Sequence, residues 1–97
     1  MFKELDPLLH SQLRLAAVSL LISVQEADFN FIKEKTNATA GNLSVQLNKL
    51  KEAGYVEITK QFKDNYPHTL CKITPKGIVA FEQYVNNLQA YLQIKAG

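Results

Sequence analysis

One cysteine, two histidines and four scattered glycines leave little from which an enzyme or a metal site is built. Cys71 has no partner for an internal disulfide, which fits a reducing compartment and an expected cytoplasmic location. His10 and His68 lie far apart, and with one thiol they fall short of the convergent ligand set a metal needs. Cys71 is near His68 in sequence, but strand alternation turns it toward the inner face, where a thiol is a small core residue rather than a nucleophile. No glycine-rich phosphate loop is present. The longest apolar run, Leu15 to Ile22 with Ser19 inside it, is well short of the roughly 20 residues of a membrane helix. The start lacks the ordered basic, apolar and cleavage regions of a secretory signal. The expectation is therefore a non-enzyme without cofactor or metal that does not span a membrane.

What is present describes one small soluble domain: 97 residues, 46% hydrophobic and 21% charged. A chain this short leaves much of its surface exposed and gains from pairing with a second copy. The net charge is +2, unevenly spread. Between residues 33 and 76 there are eight lysines and four acids, against three bases and five acids elsewhere, so the middle is the part suited to a polyanion.

The middle also holds the most informative segment, Thr39 to Val56. Leu43, Leu47 and Leu50 fall at i, i+4 and i+7 and form an apolar seam. Gly41, Asn42, Ser44, Val45, Gln46 and Lys49 lie beside or opposite it, where an ordinary surface helix would carry Glu, Lys and Arg. Small uncharged polar groups opposite an apolar seam are what a helix needs to enter a DNA groove. Thr39 is suited to cap the start, and Gly54 to supply the left-handed residue at the end. The helix start offers free amide donors to a phosphate, and Gly41 permits close backbone approach. Asn42 and Gln46 carry amides able to pair bidentately with adenine, and Val45 is able to meet a thymine methyl.

Around this segment, Asp6-Pro7 reads as the start of a first helix running to about Ser23 and apolar nearly all round. A second helix is expected from about Asp28 to Lys35, with Asp28 as cap and Phe29, Ile32 and Phe31 directed inward. After Gly54, Val56 and Ile58 alternate with polar residues, as do Cys71 and Ile73, and Gln61 to His68 reads as the polar loop of a hairpin. Thr74-Pro75 opens a last helix, whose Ile78, Phe81, Val85, Leu88 and Leu92 share one face widened by Tyr84 and Tyr91.

This order of elements is that of a winged helix-turn-helix. The residues Gly41-Asn42-Leu43-Ser44 with Leu47 and Leu50, Glu52-Ala53-Gly54-Tyr55-Val56, Pro67 with Thr69, Leu70 to Thr74 before Lys76-Gly77, and Ala80-Phe81 with Tyr84 resemble small stand-alone winged-helix transcriptional regulators related to the MarR and ArsR types. The likeness covers about His10 to Leu92. It implies an α+β, mostly α fold, a winged helix-turn-helix with a two-stranded wing and a long C-terminal dimerisation helix. The expected boundaries within a single domain, 1–97, are about 7–23, 28–53, 55–74 and 75–94 for first helix, helix-turn-helix, wing and last helix.

The resemblance further implies a homodimer on double-stranded DNA bearing an inverted repeat, with the Thr39 helix in the major groove. Thr39, Gly41, Asn42, Ser44, Val45, Gln46 and Lys49 map to the groove, and Lys60, Lys63 and His68 to the wing. Such a wing usually carries arginine near its tip, and Asp64-Asn65-Tyr66-Pro67-His68 has none. Leu9, Leu13 and Ala17 of the first helix, with Phe81, Tyr84, Val85, Leu88, Tyr91 and Leu92 of the last, are the expected dimer interface. A small-molecule effector between these helices is a further possibility. The alternative is a winged-helix protein–protein interaction module without sequence-specific DNA binding.

Overall fold

A computed structural model describes residues 1–93. Its elements are α1 (Gln12–Val24), β1 (Glu26–Asp28), α2 (Phe29–Thr36), α3 (Ala40–Glu52), β2 (Val56–Lys63), β3 (Tyr66–Ile73) and α4 (Pro75–Leu92). The strands form one antiparallel sheet in the order β1-β3-β2. No helix among the described residues is long and apolar enough to cross a membrane.

The first helix starts later than its sequence suggests. Asp6 does cap, its carboxylate accepting from the Leu8 amide at 2.9 Å while its carbonyl accepts from Leu9 and His10. That turn does not propagate. The Leu8 carbonyl, which would receive the Gln12 amide in a continuous helix, instead accepts from Arg14 Nε at 2.6 Å. Helix α1 begins afresh after Ser11, whose backbone is extended.

Asp28 caps α2 as expected, accepting from the Asn30 amide at 2.7 Å. Ile32 is buried and Phe29 partly so. Phe31, expected inward, is exposed, with Lys35 Nζ 5.6 Å from its ring centre. Asn37, in the left-handed region, closes the helix and turns the chain into α3. Leu43, Leu47 and Leu50 are buried beneath α3, and Gly54 takes a φ of 82° just beyond it.

The wing differs from the expected polar loop. Both strands run to within two residues of each other, with Lys63 opposite Tyr66. Asp64 and Asn65 both adopt positive φ, the two-residue turn whose twist matches a hairpin. Val56 opposite Ile73 and Ile58 opposite Cys71 anchor its base, whereas Gln61 to Pro67 project into solvent. A third strand, β1, joins the two of the wing: Glu26, Ala27 and Asp28 pair with Lys72, Cys71 and Leu70 of β3.

Thr74 joins the wing to α4. Its hydroxyl accepts from the Gly77 amide at 3.0 Å and donates toward the carbonyls of Gly54 and Tyr55. Described to Leu92, α4 stops two residues short of the expected end, and residue 94 lies outside the described residues. The core lies between α1, α2, α3 and the sheet base, built on Leu9, Val18, Leu21, Ile32, Leu43, Leu47, Leu50, Val56 and Cys71.

Three residues expected at a dimer interface belong to this chain's own core. Leu9 and Ala17 are fully buried and Tyr84 is 4% exposed, its hydroxyl 2.9 Å from His10 Nδ1. They have no surface left for a partner.

Candidate nucleic-acid interface

Helix α3 places its seam inward, and this alone determines what faces out. Thr39, Gly41, Asn42, Ser44, Val45 and Lys49 are exposed, and Gln46 is half-buried. The Thr39 hydroxyl accepts from the Asn42 amide at 3.2 Å. The first turn carries no acidic residue, so its positive end is not neutralised from within the helix.

The wing stands beside this face. Phe29, Ser44, Leu47, Asn48, Ile58, Lys60 and Thr69 line one shallow hollow, so Lys60 and the outer side of α3 border a common surface. Asn48 was missed by sequence reasoning, although it sits four residues after Ser44 on the same face. Lys63 is exposed near the wing tip. At the tip, where arginine is absent, Phe62 and Tyr66 are 79% and 70% exposed.

His68, mapped to the wing as a DNA contact, is bonded within the chain. Its Nδ1 lies 3.1 Å from Asp28 Oδ2, a hydrogen bond made two residues toward the wing tip from Leu70, the register partner of Asp28 at the start of α2. The His68 hydrogen bond, then the Asn30 amide, holds the Asp28 carboxyl below its ordinary value. Sequence separation of forty residues hid this pairing.

A second unanticipated contact reaches α3 from behind. Arg14, the chain's single arginine, donates through Nη1 to Gln46 Oε1, and Gln46 Nε2 donates to Asn42 Oδ1 at 3.0 Å. The two amides expected to pair with bases are thus joined.

Burial pushes the Cys71 thiol up to about 11, so it is a neutral core group. The described residues hold no cluster of three or more potential metal ligands. Two clefts border α1, one lined by Gln12, Leu13, Thr36 and Asn42 and one by Ala16, Leu20, Lys35 and Thr36, both facing α2 and the turn into α3.

Comparison with known proteins agrees with the fold. An uncharacterized protein of Methanocaldococcus jannaschii is 42% identical over 76 residues, covering 78% of this chain and 83% of that protein. The structure of a transcriptional regulator homologue from Pyrococcus horikoshii OT3 superposes with a TM-score of 0.82 at 27% identity, covering 88% of this chain and 84% of that one. A MarR-family transcriptional regulator from Silicibacter pomeroyi gives 0.68 at 17% identity over 92% of this chain and 62% of its own. Residues 13–92 match the family described as winged helix DNA-binding domain. With a helix-turn-helix, a two-residue wing turn and a polar-faced α3 already in place, the chain belongs to the winged helix DNA-binding domain family, and MarR-family regulators are among its structural neighbours.

Proposed function

We propose that the chain is a cytoplasmic, sequence-specific regulator of transcription that binds double-stranded DNA as a homodimer through a single winged-helix unit. The observation that carries this reading is the outer face of α3, exposed, small, polar and nearly free of charge, behind a hydroxyl-capped N-terminus. In this reading α3 enters the major groove. Thr39 and Gly41 approach phosphate, Asn42, Ser44, Val45 and Gln46 face base edges, and Lys49, Lys60 and Lys63 meet the backbone. His68 acts indirectly, tying the outer half of the wing to Asp28.

Support for pairing comes from α4. Ile78, Val85, Tyr91 and Leu92 are exposed and Phe81 and Leu88 partly buried on one side of the helix, a contiguous apolar face of the kind that marks an interaction surface. Leu13 on α1 is likewise half-open.

Selection of sites from random duplex DNA, followed by salt titration on the best site, tests the proposal. The expected product is an inverted repeat with half-sites about one helical turn apart. Affinity should fall steeply with salt, by a log–log slope of about −0.9 per phosphate neutralised. Salt-insensitive capture of a protein partner, with no enriched duplex, would favour the interaction-module alternative.

A further inference from the structure

The Arg14, Gln46 and Asn42 side chains form a directed chain of hydrogen bonds, and its direction is not arbitrary. A guanidinium has donors and no acceptor, so whatever faces Arg14 must be an oxygen. Arg14 is itself pinned, Nε donating to the Leu8 carbonyl at 2.6 Å and Nη1 to Gln46 Oε1. Gln46 must therefore turn its nitrogen the other way, where Nε2 donates to Asn42 Oδ1 at 3.0 Å. Asn42 must in turn point its own nitrogen away from Gln46. One arginine behind the helix thereby sets the orientation of two amides on its outer face. What remains unspent is donor-rich: both Asn42 Nδ2 protons and the second proton of Gln46 Nε2.

We propose that Arg14 is a specificity-positioning residue that presents Asn42 and Gln46 as paired donors, selecting the guanine edge with its two acceptors over adenine. This rests on the major-groove reading above. A lone asparagine or glutamine favours adenine because its amide offers one donor and one acceptor to N7 and the 6-amino group. Here the acceptor of Gln46 is held by Arg14 and that of Asn42 by Gln46. Guanine N7 and O6 match two donors and leave both bonds as they stand, whereas bidentate pairing of Gln46 with adenine requires Oε1 to accept from the 6-amino group and from Arg14 at once, away from the geometry Arg14 imposes.

The test compares relative affinities for duplexes carrying each of the four base pairs at the position whose preference is lost in Asn42→Ala. Wild type should favour guanine over adenine by about tenfold or more at that position. Arg14→Met should bring the ratio to within about threefold while leaving the salt slope unchanged, because Arg14 touches no phosphate in this arrangement. Arg14→Lys, which restores a donor, should recover part of the ratio. Gln46→Glu supplies a second reading, since a carboxylate satisfies Arg14 but has nothing to donate to Asn42. Asn42 then turns its nitrogen inward and its oxygen outward, and preference should move toward bases with an exposed amino group, adenine or cytosine. Adenine preference in wild type, or guanine preference surviving both Arg14→Met and Gln46→Glu, overturns the inference while DNA binding stands. Failure of the wild type to bind any duplex removes the DNA-binding reading and the inference with it.

Discussion

At the scale of single residues, two glycines have opposite roles. A Cβ on Gly77 would stand 2.3 Å from the Tyr55 carbonyl oxygen and 2.9 Å from Ile73 Cδ1, and the nearer obstacle is backbone. Gly77→Ala should therefore cost about 1–3 kcal/mol in chemical denaturation, the range of overpacking. Gly41 meets nothing within 4 Å, so nothing in the fold demands it. Gly41→Ala should stabilise α3 by up to about 1 kcal/mol yet weaken duplex binding, if the missing side chain serves approach to phosphate. Undiminished binding would remove Gly41 from the interface. The Asp28 carboxyl, held low chiefly by His68, contributes stability that is present above its ordinary value of 3.8 and is lost as pH falls through its lower folded value. Asp28→Asn should thus be less stable than wild type at pH 5 and equal to it in strong acid, measured by urea unfolding at each pH.

At the scale of elements, the parts legible in the sequence are those whose signals are local. Thr39 and Thr74 cap the helices they precede, Asp28 caps α2, and the seam of α3 is buried as its spacing demands. The misplaced start of α1 has a different origin. Asp6-Pro7 does begin a helical turn, which ends where Ser11 turns extended and Arg14, six residues on, takes the Leu8 carbonyl. Strand β1 is three residues long, too short for alternation to register, and exists because β3 offers it an edge. For the wing, Lys63→Ala should lower the salt slope by about one unit per protomer if that side chain meets phosphate. For α4, Leu88→Glu places a charge on the partly buried apolar face, and sedimentation at micromolar concentration should show monomers where wild type shows dimers. A monomeric wild type that still binds an inverted repeat tightly would remove α4 from the interface.

At the scale of the whole molecule, the candidate surface was legible as a list of residues but not as an arrangement. Asn42 and Gln46 are recognisable as amides on one face; that Arg14 orders them depends on a contact across thirty-two residues. The division of apolar residues between core and partner was unreadable for the same reason. Leu9 and Tyr84 resemble Leu88 in a helical pattern, and only the packing of His10 against Tyr84 and of the N-terminal segment on the body separates them.

The Thr74 joint has a mechanical consequence. One hydroxyl ties the first turn of α4 to the carbonyls that follow α3, and Gly77 lies against the same backbone with no room for a methyl group. A hinge needs slack, and bonds on both sides of Thr74 leave little room for it. If two copies pair through α4, the two α3 helices become the fixed tips of a calliper whose opening is set by the pairing angle. Such a tool measures distance along DNA as well as reading sequence. Inserting one base pair between half-sites, an offset of about 3.4 Å along the axis, should prevent both tips from seating. Affinity should then drop toward that of a single half-site, a loss on the order of 100-fold or more. A series of duplexes with one to five added base pairs, read by fluorescence anisotropy at fixed salt, checks this, and a flat response would mean that the joint yields.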